Sequence, residues 1–305
     1  MGKSPSSVWV ILAFFSIYVF WGSTYLMNKV AVQELDPLFL ASCRFLTAGS
    51  LIFILARGMG ISLKITKKQF KNTCIAGCLF LSLGNGFVVW ALKYVDSGFA
   101  ALEISAQPLI ILFLMRILQG KKIKPMSMIG VLLGMLGIYL LVSQQQIIAD
   151  EQSLIGMVMI FFCMFSWAYG SLFVAQADLP HNYFVNTGYQ MLTAGITLAG
   201  MSLAFGEQWS QPFSWQWQTQ WSLVLLVILG SIIAFTSFNY LLKAVSPEKV
   251  ATSTYVNPIV ALILGWYLLD EQITLQSIVA ATILLTGVYF INTKKTLAIF
   301  ERFKR

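Results

Sequence analysis

Stretches of mostly apolar residues, each long enough to cross a lipid bilayer, recur along the whole chain. A transmembrane helix needs about 20 such residues, because the hydrocarbon core is about 30 Å thick and a helix rises about 1.5 Å per residue. The chain contains ten such stretches, at roughly 8–32, 37–57, 72–94, 97–118, 126–143, 153–175, 183–205, 219–243, 249–269 and 273–292. The pattern therefore predicts an all-α membrane protein with ten transmembrane helices and no soluble domain between them.

The composition supports a lipid environment. Hydrophobic residues make up 58% of the 305 residues and charged residues only 10%, whereas about 25% of the residues in a soluble protein are charged. Such a chain has no charged soluble face on which nucleic acid could bind. We therefore interpret the net charge of +8 as a signal for membrane orientation.

The distribution of lysine and arginine predicts that both termini are cytoplasmic. Most of these residues fall in alternate connections, chiefly in clusters at 57–71 and 116–124 and in a basic cytoplasmic tail at 293–305. The acidic residues lie mostly in the other connections. Because cytoplasmic loops are enriched in lysine and arginine, the pattern predicts a multi-pass protein of the cytoplasmic (inner) membrane.

Two halves of the chain resemble each other. A shift of 150 residues, without a gap, aligns the following pairs: Lys93 with Lys243, Pro108 with Pro258, Gly137 with Gly287, and Tyr139 with Tyr289. The first and sixth spans match at a shift of 146, through Trp21 and Trp167. We predict five-helix repeats at 8–143 and 153–292. Because five is odd, the second repeat is inverted, as in many secondary transporters, and a substrate site is expected between the halves near the midplane.

Several segments resemble a known family. These are WGSTYLMNKVA in the first span, PLFLASCRF in the second, and the paired segments SAQPLIILFL and YVNPIVALIL. They are similar to EamA-type members of the drug/metabolite transporter superfamily, over about residues 8–292. The resemblance implies a ten-helix inner-membrane carrier, usually an exporter of amino acids, other metabolites or drugs.

Two charged residues, Arg44 and Glu103, lie well inside predicted spans. Each is seven residues into a helix that enters from the outer side, so both are expected about 10 Å below the outer boundary. They could form a structural ion pair. Alternatively, Glu103 could be a titratable coupling site or bind a substrate ammonium, with Arg44 tuning it, because charges at this depth are commonly functional.

Two prolines mark a second candidate feature. Pro108 and Pro258 lie near the middle of the fourth and ninth spans, where each is expected to break its helix. Glu103 and Gln107 are spaced i, i+4 and so share a helical face, as do their repeat counterparts Ser253 and Asn257. These two polar faces either line a central site or accompany plain packing kinks.

Aromatic residues at helical spacing mark one face of the first span. The face comprises Phe14, Tyr18, Trp21, Tyr25 and Asn28. It is either ordinary packing or the wall of a cavity for aromatic or cationic solutes, with Trp167 facing it from the other half. Further candidates for the lining are Asn85, Trp90, Asn239, Tyr240 and Tyr255.

The sequence favours a secondary carrier that moves a small amphipathic solute by alternating access. It has no GxxxxGK[ST] nucleotide-binding loop, and its single histidine, His181, gives no basis for catalysis or a metal site. We therefore expect no enzyme activity and no cofactor. Expected partners are a small organic solute and membrane lipids, with proton coupling left open. The chain is expected to be a monomer or a homodimer, since the glycines Gly130, Gly134 and Gly137 form either a dimer face or an internal packing face. A lipid flippase-like carrier and a channel or sensor are the alternative functions.

Overall fold

A computed structural model describes residues 7–120, 125–143, 151–245, 250 and 253–292. In this part of the chain all regular secondary structure is helical. Besides a short 3-10 helix at Pro212–Ser214, the ten long helices are α1 (Ser7–Ala31), α2 (Pro37–Gly58), α3 (Lys67–Ala91), α4 (Ser97–Gln119, with an interruption at Ser105 and Ala106), α5 (Pro125–Val142), α6 (Glu151–Val174), α7 (Tyr183–Ala204), α8 (Trp217–Leu225, Leu226–Phe235 and Thr236–Ala244 in succession), α9 (Ser253–Leu269) and α10 (Leu275–Asn292).

The prediction of an all-α membrane protein with ten helices is confirmed. Six of the helices (α1, α2, α3, α4, α6 and α8) are long and apolar enough to cross a membrane, and α5, α9 and α10 contain shorter apolar segments. The largest difference in a predicted boundary is at α3, which begins at Lys67. There Thr66 and Gln69 form a reciprocal capping box, so the helix starts one turn before its apolar stretch.

Three helices contain π-helical segments that the sequence did not predict. They are Ser16–Phe20 in α1, Cys78–Asn85 in α3 and Leu226–Phe235 in α8. The α3 segment, shifted by 150 residues, falls within the α8 segment, so the repeat extends to this irregularity. A π-helical turn disturbs the i→i−4 hydrogen-bond ladder and is frequent at functional sites.

Helices that correspond in the two halves pack against each other with two-fold reciprocity. A Cβ added to Gly49 of α2 would lie 2.8 Å from Leu192 Cγ, and one added to Gly195 of α7 would lie 2.7 Å from Leu46 Cγ. Both residue pairs are related by the shift of 146. As the α2 position increases from 46 to 49, its α7 partner decreases from 195 to 192, so these two helices run antiparallel. This antiparallel, reciprocal contact is the one expected if the second half is inverted relative to the first.

The same reciprocity holds for α5 and α10. A Cβ on Gly137 would meet Leu284, and one on Gly287 would meet the backbone of Gly130 and Gly134, all within 3 Å. The glycine pattern predicted in α5 therefore packs inside the chain, where the absence of side chains lets the two backbones approach closely.

The first helix of each half packs in the other half. Helix α1 contacts α8 and α9, and α6 contacts α3 and α4. This exchange brings residues of both halves together at the centre of the bundle. The loops at one end of the bundle carry Glu34, Asp36, Asp96, Glu207 and Glu271, and we call it the acidic end. The opposite end carries Arg57, Lys64, Lys67, Lys68 and Lys71, and we call it the basic end.

Gly195→Ala is expected to destabilise the protein, because its Cβ would collide with Leu46 Cγ and with the Leu46 backbone nitrogen 2.8 Å away. Overpacking of this kind costs about 1–3 kcal/mol. The matched control is Gly200→Ala in the same helix, where a Cβ would meet nothing within 4 Å. Thermal unfolding in detergent should show a lower Tm for Gly195→Ala only. Equal Tm values for the two variants would contradict the reciprocal packing.

Candidate functional site

Arg44 is held at the centre of the bundle by two neutral side chains. Its side chain is buried, Nε donates to Ser231 Oγ at 2.8 Å, and Nη1 donates to Asn85 Oδ1 at 3.2 Å. Asn85 and Ser231 belong to the π-helical segments of α3 and α8, respectively. Gly230 leaves room for the guanidinium, since a Cβ there would lie 3.0 Å from Nη2. The two corresponding helices thus jointly position one cation.

The ion pair between Arg44 and Glu103 that the sequence left open is absent. Within the described ranges the one ion pair joins Lys93 Nζ to Asp36 Oδ1 at 2.8 Å. The prediction rested on equal depth in the membrane, and depth does not fix the direction in which a side chain leaves its helix. Asn85 and Ser231 satisfy the guanidinium from α3 and α8 instead.

Glu103 is a buried carboxyl group with an unsatisfied oxygen. Its side chain is 5% exposed, and Oε2 has no hydrogen-bond partner among the described residues. Cys163 of α6 lies within electrostatic range of Glu103 and also of Tyr25 on α1. Helices α1, α4 and α6 therefore converge around a carboxyl group that the surrounding protein leaves partly unpaired.

Gln107 and Asn257, which correspond in the two repeats, make equivalent bonds. Gln107 Nε2 donates to the Met164 carbonyl of α6 at 3.1 Å. When the Asn257 amide is oriented so that its nitrogen faces the carbonyl groups beside it, it donates to Ile17 O and Tyr18 O of α1 at 2.9 Å. Tyr18 and Met164 are themselves related by the shift of 146. Each amide therefore ties a proline-containing helix to the helix that enters from the other half.

The two prolines have different effects. Helix α4 is interrupted at Ser105 and Ala106, and Pro108 lies in the first turn of the segment that follows, Gln107–Gln119. Pro258, however, lies inside the uninterrupted helix α9, so the predicted helix break there is wrong. Proline removes only one hydrogen bond, and α1 supports α9 here, because Gly22 lets the Asn257 carbonyl and Val260 approach closely.

The aromatic residues predicted to line a cavity form a contact cluster at the centre. Trp21 and Trp167 pack edge to face with centroids 6.0 Å apart, instead of facing each other across a space. Phe238 lies 5.1 Å from Trp21, and Phe80 lies 4.9 Å from Trp167. Trp21 Nε1 also donates to the Gly230 carbonyl in the π-helical segment of α8, at 3.2 Å. We call Trp21, Phe80, Trp167, Phe235 and Phe238 the aromatic cluster.

The other predicted lining residues are distributed more widely. Tyr25 packs against the main hydrophobic core, and the tilted rings of Tyr18 and Phe14 lie with their centroids 5.6 Å apart. Trp90 packs against Phe205, the residue that follows α7, with ring centroids 5.4 Å apart. Ser253 is buried at the start of α9, on the half of that helix nearer the basic end. The side chain of Tyr255 lies outside the described residues.

Asn239 belongs to a polar cluster that the sequence analysis missed. Its Nδ2 donates to Thr187 Oγ1 at 2.8 Å, and its Oδ1 accepts from Asn186 Nδ2 at 3.3 Å. Gln190 Nε2 donates to Asn186 Oδ1 at 3.0 Å. All four side chains are buried between α7 and α8. The i, i+4 spacing of Asn186 and Gln190 is the signal that would have found it.

At the acidic end, carboxylates of one half bind backbone N–H groups of the other. Glu271 accepts from Ser97 N at 2.8 Å, Gly98 N at 3.1 Å and Ser97 Oγ at 2.9 Å, at the start of α4. Glu207 accepts from the first turn of α2, at Phe39 N (2.7 Å) and Leu38 N (3.1 Å). The first N–H groups of a helix have no partner within the helix and attract negative charge. These bonds therefore fasten the two halves together.

Lysine and aspartate side chains make further bonds at the acidic end, most of them within the first half. Lys29 Nζ of α1 donates to the carbonyls of Leu92 (3.0 Å) and Val95 (2.8 Å), at the end of α3 and in the turn after it. Burial by itself would raise the pKa of Asp36, but the hydrogen bonds from Lys93 and from the Gln208 N–H, with the charge of Lys93, hold that pKa below its usual value.

The pKa of Asp96, beside the Glu271 bonds, is shifted in the opposite direction. Desolvation and the nearby Glu271 carboxylate raise the pKa of Asp96, while the Lys29 ammonium opposes the shift. Asp96 therefore takes up a proton at a higher pH than an ordinary aspartate, and this removes a negative charge next to Glu271.

Comparison with known proteins gives a consistent result. The sequence model of the EamA-like transporter family matches residues 8–143 and 154–293. The chain is 33% identical over 296 residues to the uncharacterized inner membrane transporter YedA of Escherichia coli K12, with 94% of each chain covered. It is 23% identical to the uncharacterized transporter YoaV of Bacillus subtilis 168, with 93% of this chain and 96% of the relative covered. A solved crystal structure matches with a TM-score of 0.66 at 18% identity, covering 97% of this chain and 98% of the other, which shows the same fold.

Variants of Arg44 and Glu103 are expected to act independently. Arg44→Gln should lower the free energy of unfolding by about 1–3 kcal/mol, because Asn85 loses a charged donor. Glu103→Gln should have little effect on stability, since no ion pair is broken, and the double variant should behave like Arg44→Gln. Tm and folded yield in detergent would be measured, with the exposed Arg57→Gln as control. Recovery of stability in the double variant would show that the two charges pair after all.

Proposed function

The chain belongs to the EamA-like transporter family, and we propose that it is a secondary carrier that exports a small amphipathic solute by alternating access. It is a multi-pass protein of the inner membrane. We further propose that the basic end faces the cytoplasm, in agreement with the positive-inside rule. Under this proposal the chain carries out transport and no catalysis.

The observation that carries this proposal is the pair of separate, buried ionisable side chains at the centre. Arg44 has only neutral side chains as hydrogen-bond partners, and Glu103 has an oxygen with none. A charged residue inside a membrane is costly and is commonly retained because it contacts a solute or an ion. Two such residues between inverted halves fit a central binding site better than a purely structural role.

The side chains suggest what kind of solute fits. A carboxylate could accept the remaining N–H donors of Arg44, because guanidinium groups bind carboxylates with charge-assisted hydrogen bonds. An ammonium group could pair with Glu103, and an apolar or aromatic body could pack against Trp21 and Trp167. We therefore propose an amino acid or a related amphipathic metabolite as the solute.

The reciprocal packing of corresponding helices supports alternating access. Contacts of α2 with α7 and of α5 with α10 are reciprocal, so the two halves can serve as equivalent rocking units. The Glu271 and Lys29 bonds close the acidic end in this conformation. Under the proposal they break when the site opens to that side, while contacts at the basic end form.

Cysteines at opposite ends should respond in opposite directions to transported solute. Ser97→Cys, near the acidic end, and Ser253→Cys, near the basic end, would be made in a variant that lacks the four native cysteines; both serines are buried. Labelling with a membrane-impermeant thiol reagent, applied from each side of the membrane, should rise at one position as it falls at the other. A channel would instead label both positions together. Labelling of position 97 from the cytoplasmic side would contradict the proposed orientation.

Arg44 is expected to determine preference for a carboxylate. Arg44→Gln should lower kcat/KM for an amino acid by about tenfold to a hundredfold, since a hydrogen bond to a charged group contributes about 1.5–3 kcal/mol. Uptake of the corresponding decarboxylated amine should change little. Wild-type protein, Arg44→Gln and the control Arg57→Gln would be compared in proteoliposomes with a panel of labelled amino acids and matched amines. An equal loss for amino acid and amine would exclude carboxylate recognition by Arg44.

A further inference from the structure

We propose that Glu103 is the residue that carries a proton through the transport cycle, so that the driving ion is the proton. This inference rests on the proposed function, because it assigns the coupling step to the same central site. In the conformation described, the Glu103 carboxyl group holds the proton.

The first support is the hydrogen bonding of Glu103. The side chain is 5% exposed, and Oε2 has no partner within the described residues. The buried Arg44 donates to Asn85 and Ser231 instead. A carboxylate buried without a cation and without a full set of hydrogen bonds is so unfavourable that such groups normally become neutral. A protonated carboxyl group avoids this cost.

Among the residues that the structure describes, none pairs a cation with Glu103. Helix α6 contributes the Cys163 thiol, which also lies within electrostatic range of the Tyr25 phenol of α1. Lys29, further toward the acidic end of α1, uses its ammonium on the carbonyls of Leu92 and Val95. From Ser253 to Leu269, α9 has no Asp, Glu, Lys, Arg, His or Cys residue, and neither does α5 from Pro125 to Val142. At the acidic-end start of α4, Asp96 and Glu271 are both acidic and would disfavour a further negative charge on Glu103.

The position of Glu103 in α4 allows a conformational change of the bundle to alter the surroundings of its carboxyl group. It lies two residues before the interruption at Ser105, in the segment Ser97–Ile104. Glu271 holds the start of this segment, whereas Gln107 fastens the following segment to α6. Since the two segments are attached to different elements, opening of the bundle can change the hydration of Glu103 without disrupting both attachments.

The proton balance follows directly. A proton from water on the acidic side converts the Glu103 carboxylate to the carboxylic acid. After the site opens to the basic side, the acid returns that proton to water there and the carboxylate can pair with the ammonium group of a solute. Because proton and ammonium occupy the same carboxylate in turn, inward movement of one proton accompanies outward movement of one solute molecule.

Infrared spectroscopy of the purified protein in lipid tests the protonation state without any solute. Wild-type protein at neutral pH should show a carboxylic-acid C=O band that shifts in D2O and is absent from Glu103→Gln. The matched control is Glu151→Gln, which removes an exposed carboxyl group at the acidic end of α6 and should keep the band. Glu103→Asp should keep a band as well, so the test survives if Glu103→Gln folds poorly. A wild-type spectrum without the band would overturn the proposal.

Transport by proteoliposomes tests the coupling, with radiolabelled phenylalanine as the probe. An imposed pH difference should drive accumulation by wild-type protein and Glu151→Gln of about tenfold per pH unit, because one proton accompanies each solute. Glu103→Gln should lose this accumulation, and any phenylalanine movement that it retains should not respond to the imposed pH difference. Full accumulation by Glu103→Gln, or phenylalanine movement by wild-type protein without proton movement, would overturn the coupling role while leaving the carrier function intact. No phenylalanine movement at all by wild-type protein would overturn the proposed amino acid function together with it.

Discussion

The structure depends on one constraint: a polar group inside the bilayer must find its partner within the protein, because lipid tails offer none. The π-helical segments illustrate this, since Trp21 Nε1 binds Gly230 O and Ser166 Oγ binds Leu79 O. Both bonds join the first helix of one half to an irregular carbonyl of the other half. Satisfying the backbone therefore also assembles the two halves around the centre.

The same constraint explains how the acidic end is closed. Asp36 and Asp96 precede α2 and α4, where an aspartate commonly caps its own helix, yet neither makes such a bond. Glu207 and Glu271 from loops of the second half take the capping role. A local cap would stabilise one helix only, whereas these caps make the helix start dependent on the position of the other half. The caps that Glu207 and Glu271 provide are thus contacts between the two halves, and a conformational change can break them.

Much of the fold could be predicted from the sequence, because span length, charge bias and the repeat are carried by many residues at once. The π-helical segments could not, since they arise from tertiary contacts and no residue type specifies them. For this reason the sequence left open an ion pair between Arg44 and Glu103. The depth of Arg44 in the membrane could be predicted, but its hydrogen-bond partners Asn85 and Ser231, which lie in these segments, could not. The continuous helix at Pro258 has a similar origin, in the close packing that Gly22 allows between α1 and α9. The sequence also indicated Gln107 and Asn257 by their shared position in the repeat, and the contacts they make could be read only from the structure.

The packing of the two halves is two-fold related, but the charged residues at the centre are not distributed equally between the halves. Arg44 corresponds to Gln190 at the shift of 146, and Glu103 corresponds to Ser253 at the shift of 150. Both central charges therefore belong to the first half, while the second half has neutral polar groups at the same positions. Two-fold related packing allows the bundle to interconvert between two conformations with similar contacts. Because the charged residues lie in the first half only, the free energies of the two conformations differ once water reaches Glu103. This asymmetry allows a bound ion to shift the equilibrium between the two conformations.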